Sequence, residues 1–353
     1  MEYQLGCAVW ETTLKCNLHC AHCGSSAGVG RKNELTTKES FSLCEELAAL
    51  GCENVSLMGG EPLLRDDWFA IGECVRNLGM ELSIVSNGWN LPQQIERISQ
   101  LKPMVVGLSL DGMEKTHDSI RRKGSYRSVM KSLELLREKK IQTTLITTAS
   151  KTNFKELPQM KEIIFKKEAN WQIQLAMPMG NFDPDLLLTR EEYYAVAMFI
   201  ANQRIQNKFN DLPVIGAHCF GYHSRILPGC GPWKGCTAGI SSVGITSDGG
   251  VVGCLSMGND RFIEGNVRNG GLKKIWNDPT SFSYNRSFNS NQLGPYCRGC
   301  SYGDSCKGGC NSMSFNITNN IHNTPYCFYS IERDIIGVKD GVLNKIKNVF
   351  KKG

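Results

Sequence analysis

Residues Cys16–Cys23 read CNLHCAHC, three cysteines spaced C-x3-C-x2-C. The run before them, Gln4–Thr13, fits a strand. After them, Thr36 and Thr37 followed by Glu39 signal a helix start, with Phe41, Leu43, Leu47 and Leu50 on one apolar face. The trio therefore lies in the loop of a first strand–helix unit. Three thiolates so close wrap one face of an iron–sulfur cube and leave one iron open to chelate a small molecule. The alternative is a zinc site completed by His19 or His22.

Outward from this loop the pattern repeats. Glu53–Met58, Glu81–Ser86, Met104–Leu110, Ile141–Thr148 and Trp171–Ala176 are apolar, β-branched or aromatic runs. Helical patterns fit Asp67–Leu78, Pro92–Leu101, Tyr126–Lys139 and Phe154–Lys167 between them. Such alternation predicts an α/β fold with a parallel sheet, in the form of a partial (β/α)6 barrel. Chemistry is expected at the C-terminal ends of the strands. Gly59-Gly60-Glu61, Ser86-Asn87-Gly88 and Asp111-Gly112 all fall on that edge, although each alone also reads as turn residues. After Thr189 a helix to about Phe209 is expected to lead out of the barrel. The last third is rich in Gly, Asn, Ser and Cys. Its clear element is a hairpin, Ser242–Thr246 and Val251–Cys254, around Ser247-Asp248-Gly249-Gly250. A segment so poor in apolar periodicity is expected to draw stability from bound clusters.

The chain has 353 residues, 41% hydrophobic and 21% charged, enough for about two domains. Met1–Gln4 has no basic n-region, and no apolar stretch approaches membrane-spanning length. A cytoplasmic protein with no membrane association is expected. The net charge of +6 is spread along the chain without a dense block, so no nucleic-acid partner is implied. Of 16 cysteines, seven lie between Cys7 and Cys74 and nine between Cys219 and Cys327, with none from Val75 to His218. Reduced thiols in such numbers read as metal ligands or catalysts rather than disulfides.

The trio, then Gly59-Gly60-Glu61-Pro62, then Ser109-Leu110-Asp111-Gly112, in this order, resembles the radical S-adenosylmethionine (SAM) superfamily. The resemblance implies a [4Fe–4S] cluster on Cys16, Cys20 and Cys23 whose open iron binds the amino and carboxylate groups of SAM. Reductive cleavage then gives methionine and a 5′-deoxyadenosyl radical that abstracts a substrate hydrogen. By the same resemblance, Gly59, Gly60 and Glu61 meet the SAM amino group. Ser109 and Asp111 contact ribose or carboxylate, and Arg121 pairs with the SAM carboxylate, with Arg122 an equally available neighbour. Leu175 sits where relatives place an apolar residue near adenine; plain core is the alternative.

The cysteines of the last third, Cys236, Cys254, Cys297, Cys300, Cys306, Cys310 and Cys327, are similar in spacing to the SPASM domain of peptide-modifying radical SAM enzymes. With Cys230 there are eight, enough for two fully ligated cubes. In relatives with full ligation the pattern interleaves. That implies one cluster on Cys230, Cys236, Cys254 and Cys310 and another on Cys297, Cys300, Cys306 and Cys327, three [4Fe–4S] clusters in all. Zinc ribbons are the alternative. The implied division is a barrel over 1–210, a SPASM domain over 211–335 and a basic tail over 336–353.

The resemblance implies a precursor peptide substrate and an oxidative thioether or carbon–carbon crosslink. Leu255-Ser256 after Cys254 departs from the sulfatase-maturating subgroup, which has an aspartate there. The barrel starts near residue 1, leaving no room for a fused leader-binding domain, so a separate leader-peptide-binding protein is expected. Flavodoxin or ferredoxin is the expected electron partner. Three alternatives stand beside this reading. One is a peptide epimerase using Cys219 as hydrogen donor. Another is a radical enzyme acting on a tetrapyrrole side chain. The third is a non-catalytic iron–sulfur electron carrier.

Overall fold

The computed structural model describes residues 3–206, 213–220, 222–227, 233–258 and 260–334. Six strand–helix units run in order. They are β1 (Cys7–Thr13) with α1 (Thr37–Ala49), β2 (Asn54–Gly59) with α2 (Trp68–Asn77), and β3 (Glu81–Ser86) with α3 (Leu91–Leu101). Then come β4 (Val105–Ser109) with α4 (Glu114–Ile120) and α5 (Ser125–Glu138), β5 (Thr143–Ala149) with α6 (Leu157–Lys166), and β6 (Asn170–Leu175) with α7 (Arg190–Gln206). β1 to β6 pair in sequence order, all parallel. Helices pack on the sheet, and β1 is buried continuously from Trp10 to Thr13, whereas β5 and β6 alternate buried and half-buried residues. The start of α1 is a capping box. Thr36 Oγ1 accepts from the Glu39 N–H, and the Glu39 carboxylate accepts from the Thr36 N–H at 2.8 Å.

Both sheet edges extend beyond the six units. The helix expected to lead out of the barrel instead crosses back. α7 returns to β7 (Val214–Gly216), which pairs parallel with β6. On the other edge, β8 (Ser242–Ile245) pairs parallel with β1, and β9 (Gly250–Val252) and β10 (Gly265–Asn266) follow antiparallel. The hairpin that leads into Cys254 thus continues the barrel sheet. The hairpin strands β8 and β9 show in the sequence through their turn, whereas β7 and β10 are too short to carry a periodicity, and the β8–β1 pairing is purely non-local.

The last third also shares the main core rather than lacking one. Trp276 on α8 (Leu272–Asn277), Phe282, Met313 on α11 (Asn311–Thr318), and Phe328 and Ile331 on α12 (Phe328–Asp334) are buried in the same apolar cluster as the sheet residues. The Trp276 indole donates to the Tyr3 carbonyl at 2.8 Å, and Tyr193 of α7 stacks between Phe220 and Phe328. The expectation of a poor core holds locally: from Ser287 to Ser312, Leu293 and Cys306 are the buried hydrophobic side chains. That stretch contains α10 (Gly303–Cys306). Among the described residues no helix is long and apolar enough to cross a membrane.

Candidate functional site

The trio loop leaves β1 at the C-terminal edge of the sheet. It is pinned by Glu34, whose carboxylate accepts from the Thr13 hydroxyl and the Leu14 and Arg31 N–H groups. The loop closes on itself through Cys16 N–H to Gly28 O and Gly28 N–H to Leu14 O, both 3.1 Å. Each sulfur has a nitrogen donor within reach. Cys16 Sγ receives the Leu18 N–H at 3.4 Å and the Asn87 amide at 3.8 Å. Cys23 Sγ receives the Ala27 N–H at 3.4 Å, and Cys20 Sγ the Arg121 guanidinium at 3.8 Å. Burial pushes the Cys20 thiol up to about 11, with Arg121 opposing and the charges of Cys16 and Cys23 adding. Three thiols beside one another, each offered a donor, suit thiolates that share a bound cluster.

The glycine pair after β2 lies directly under this loop. Gly59 has φ +144°, and a Cβ there would stand 2.2 Å from the Thr13 carbonyl; at Gly60 it would stand 2.3 Å from that of Lys15. What approaches the pair so closely is the trio loop's own backbone. Glu61 is fully buried. It accepts from the Asn87 N–H at 2.7 Å, the Ser86 hydroxyl at 2.9 Å and the Leu63 N–H at 3.3 Å. Burial raises its pKa to about 7 despite these donors. It joins the ends of β2 and β3, and Asn87 then reaches Cys16.

Asp111, past the end of β4, is the charged hub. Its carboxylate accepts from Arg121 Nε at 2.5 Å, His22 Nε2 at 2.8 Å and the Thr148 N–H at 2.8 Å. Burial opposes its charge, but Arg121 and His22 prevail and hold it well below the usual carboxylate range. His117 Nδ1 accepts the Asp111 N–H at 3.1 Å, and burial lowers its pKa to about 4, so it is neutral. Arg121 is thus held between Asp111 and Cys20. Arg122 lies over the Trp89 ring at 4.3 Å. Ser109 ends β4, half-buried. Leu175 ends β6 inside the core, and its N–H donates to Cys219 Sγ at 3.2 Å. Cys219 is buried with it, its thiol pushed up to about 12.

His22 and Asn87 are the site residues that sequence reasoning did not assign to this network. Both had a visible signal: His22 stands between two of the cysteines, and Asn87 lies in a strand-end Asn-Gly.

The described cysteines of the last third form two groups. Cys236, Cys254 and Cys310 lie close together: besides burial, Cys236 raises the pKa of Cys254, and both raise that of Cys310. Cys236 Sγ accepts backbone N–H groups of Ala238 and Asn311. Cys230 lies outside the described residues, as does the tail from 335. Cys297, Cys300, Cys306 and Cys327 line one cavity with Tyr302, Tyr329 and His223. There burial lifts Cys306 and Cys327 to about 12 and Cys297 to about 11, and Cys306 accepts the N–H groups of Gly309 and Gly308. All described cysteines are free thiols. Buried thiols this close are costly to ionise until a metal centre takes them as thiolates.

Residues 10–164 match the radical SAM superfamily, and residues 236–301 match SPASM, an iron–sulfur cluster-binding domain. The chain is 27% identical over 345 residues to the AdoMet-dependent heme synthase of Methanosarcina barkeri, covering 91% of this chain and 95% of that protein. It is 26% identical over 317 residues to the mycofactocin maturase MftC of Mycolicibacterium smegmatis, covering 88% and 79%. Among solved structures, anSMEcpe with bound AdoMet and Cp18Cys peptide superposes with a TM-score of 0.73 at 20% identity, covering 97% of this chain and 99% of that one. Streptococcus suis SuiB bound to the precursor peptide SuiA gives 0.73 at 16%, covering 92% and 75%. At these identities the two structures show the shared fold.

Proposed function

We propose that this chain, a radical SAM enzyme whose radical SAM domain is followed by a SPASM domain, modifies a side chain of a ribosomal precursor peptide, forming an oxidative thioether or carbon–carbon crosslink. The observation that carries the reading is the convergence of Cys16, Cys20 and Cys23 with Glu61, Asp111 and Arg121 at one sheet edge. Three thiols without a fourth suit a cluster with an open iron; an electron carrier needs neither that vacancy nor the buried carboxylates around it. A cluster held by the trio would supply the electron that splits SAM into methionine and a 5′-deoxyadenosyl radical, and two closed clusters would supply an outlet for the electron left after the substrate bond forms.

The chain's own residues do the holding. Asp111 fixes Arg121 and His22 against the trio, and Glu61 fixes Asn87 against Cys16. Gly59 and Gly60 let the trio loop lie flat on β2. In this reading Cys236, Cys254 and Cys310, with Cys230, hold one closed cluster, and Cys297, Cys300, Cys306 and Cys327 the other. The chain is then read as a radical SAM part over 1–210, whose sheet β7 to β10 extend, a cluster domain over 211–335 and a basic tail. An acidic carrier such as flavodoxin or ferredoxin, and a separate leader-binding protein, are the matching partners.

A second reading, a tetrapyrrole side chain as substrate, is favoured by the likeness to the heme synthase across nearly the whole of both chains. The test is anaerobic reconstitution followed by dithionite and SAM. Formation of 5′-deoxyadenosine supports the radical reading, and its absence sinks it. A rise in 5′-deoxyadenosine on adding a short peptide encoded beside the gene supports the first substrate; a rise with an iron porphyrin supports the second. Cys219, as a hydrogen donor, is buried against β6, and Cys219→Ala is expected to leave the product unchanged.

A further inference from the structure

Tyr284, on α9 (Ser283–Arg286), is a buried polar group with no use in the site described so far. Its ring packs edge-on against Phe262 with centroids 5.4 Å apart. Its hydroxyl is buried and has no hydrogen-bond partner among the described residues. A buried hydroxyl left without a partner is costly and calls for an acceptor. Two observations say where that acceptor lies. A Cβ on Gly253 would stand 2.1 Å from the Tyr284 oxygen, so the hydroxyl rests on the backbone immediately before Cys254. The next residue, Asn285, donates to the Cys236 carbonyl at 2.8 Å and the Ala238 carbonyl at 2.7 Å, locking α9 onto the turn that carries Cys236. The hydroxyl is held between two ligands of the same thiol group.

Its electrostatic neighbours agree. Cys236, Glu264 and Cys254 are the acidic groups that face it, and a phenol, neutral at ordinary pH, can donate to them. Glu264, the carboxylate in range, accepts instead from the backbone of Phe282.

We propose that the Tyr284 hydroxyl donates a hydrogen bond to a sulfur of the cluster held by Cys236, Cys254 and Cys310, and so raises that cluster's reduction potential. The inference rests on the cluster reading above. A donor at a cluster sulfur stabilises the reduced state, which carries one more negative charge. It makes this cluster the better acceptor for the electron the substrate must lose.

The experiment is an EPR-monitored redox titration of the reconstituted full chain and of Tyr284→Phe, which keeps the ring and deletes the oxygen. The relevant signal is the one that Cys254→Ala removes. The expected result is a lower potential for that signal alone, with the Cys297-group signal unmoved. In heavy water, pulsed EPR of the unmutated protein should show an exchangeable deuteron coupled to this cluster, a measurement independent of whether the variant folds. An unchanged or higher potential at equal iron content, or no such deuteron, overturns the proposal while leaving the cluster assignment standing. If Cys254→Ala removes no iron and no signal, the cluster reading itself falls and takes the proposal with it.

Discussion

At the trio, the sulfurs ride on a loop held from outside. Glu34 pins its backbone, the glycine pair of β2 supports it, and Asp111 aims Arg121 and His22 at it. In the last third, by contrast, Cys297, Cys300 and Cys306 sit in a stretch with scarcely a buried apolar side chain of its own. On the cluster reading proposed above, the sulfurs there tie the backbone, rather than the backbone presenting the sulfurs. On that reading the difference teaches that the open site is a device mounted on a finished fold, whereas the closed one is part of what finishes the fold. An open site needs a scaffold indifferent to its cargo. A closed one gains by cross-linking distant segments.

The sharpest way to break this contrast is to remove one thiol from each. Cys16→Ala is expected to abolish 5′-deoxyadenosine formation while thermal unfolding barely shifts. Cys306→Ala should lose about four irons per chain and lower the Tm by more. Equal Tm losses, by calorimetry under anaerobic conditions, would erase the distinction.

Next is the hub. Asp111→Asn leaves Arg121 buried without its carboxylate, and a broken buried pair costs about 3–5 kcal/mol. Chemical denaturation measures this; a loss below about 1 kcal/mol would mean that the hub does not hold the trio's surroundings.

A smaller effect tests the link between the regions. Glu11 on β1 is buried between Arg31 of the trio loop, at 2.9 Å, and the Ser247 N–H and hydroxyl of the hairpin turn, at 3.1 and 3.0 Å. Glu11→Gln is expected to cost about 1–3 kcal/mol and to speed loss of the trio's iron to a chelator. Chelation at the unmutated rate would separate the two regions.

The smallest is at the surface. Arg268 pairs with Glu39 at 2.5 Å, and with the Thr36 N–H this lowers the Glu39 pKa to about 2. A depressed carboxylate contributes stability above its ordinary pKa and loses it as pH falls through about 2. The pair is exposed, so Glu39→Gln should cost under about 1 kcal/mol at neutral pH. The deficit should shrink in acid, as denaturation at two pH values would show.

Much of this was legible beforehand, for reasons particular residues show. β3 was readable to the residue, Glu81–Ser86, because a short apolar run ends in Asn-Gly. The start of α1 was readable because Thr36 and Glu39 satisfy each other three residues apart. Less legible was what the strand-end residues touch. Glu61 suggested a ligand contact, yet its oxygens are engaged by Ser86, Asn87 and Leu63. Arg121 suggested a partner for the SAM carboxylate, and the structure adds that Asp111 and Cys20 also engage it.

Local spacing by itself determined the strand–helix alternation, the edge on which the polar residues gather and the three-thiol loop. These follow from periodicities and turns spanning fewer than about twenty residues. Tertiary structure alone decided that the hairpin before Cys254 joins β1, that Asp111 binds His22 across the loop, and that the Tyr284 hydroxyl lies against Gly253. Each of these is a meeting of segments far apart in the chain, chosen by burial and charge pairing that no local pattern encodes.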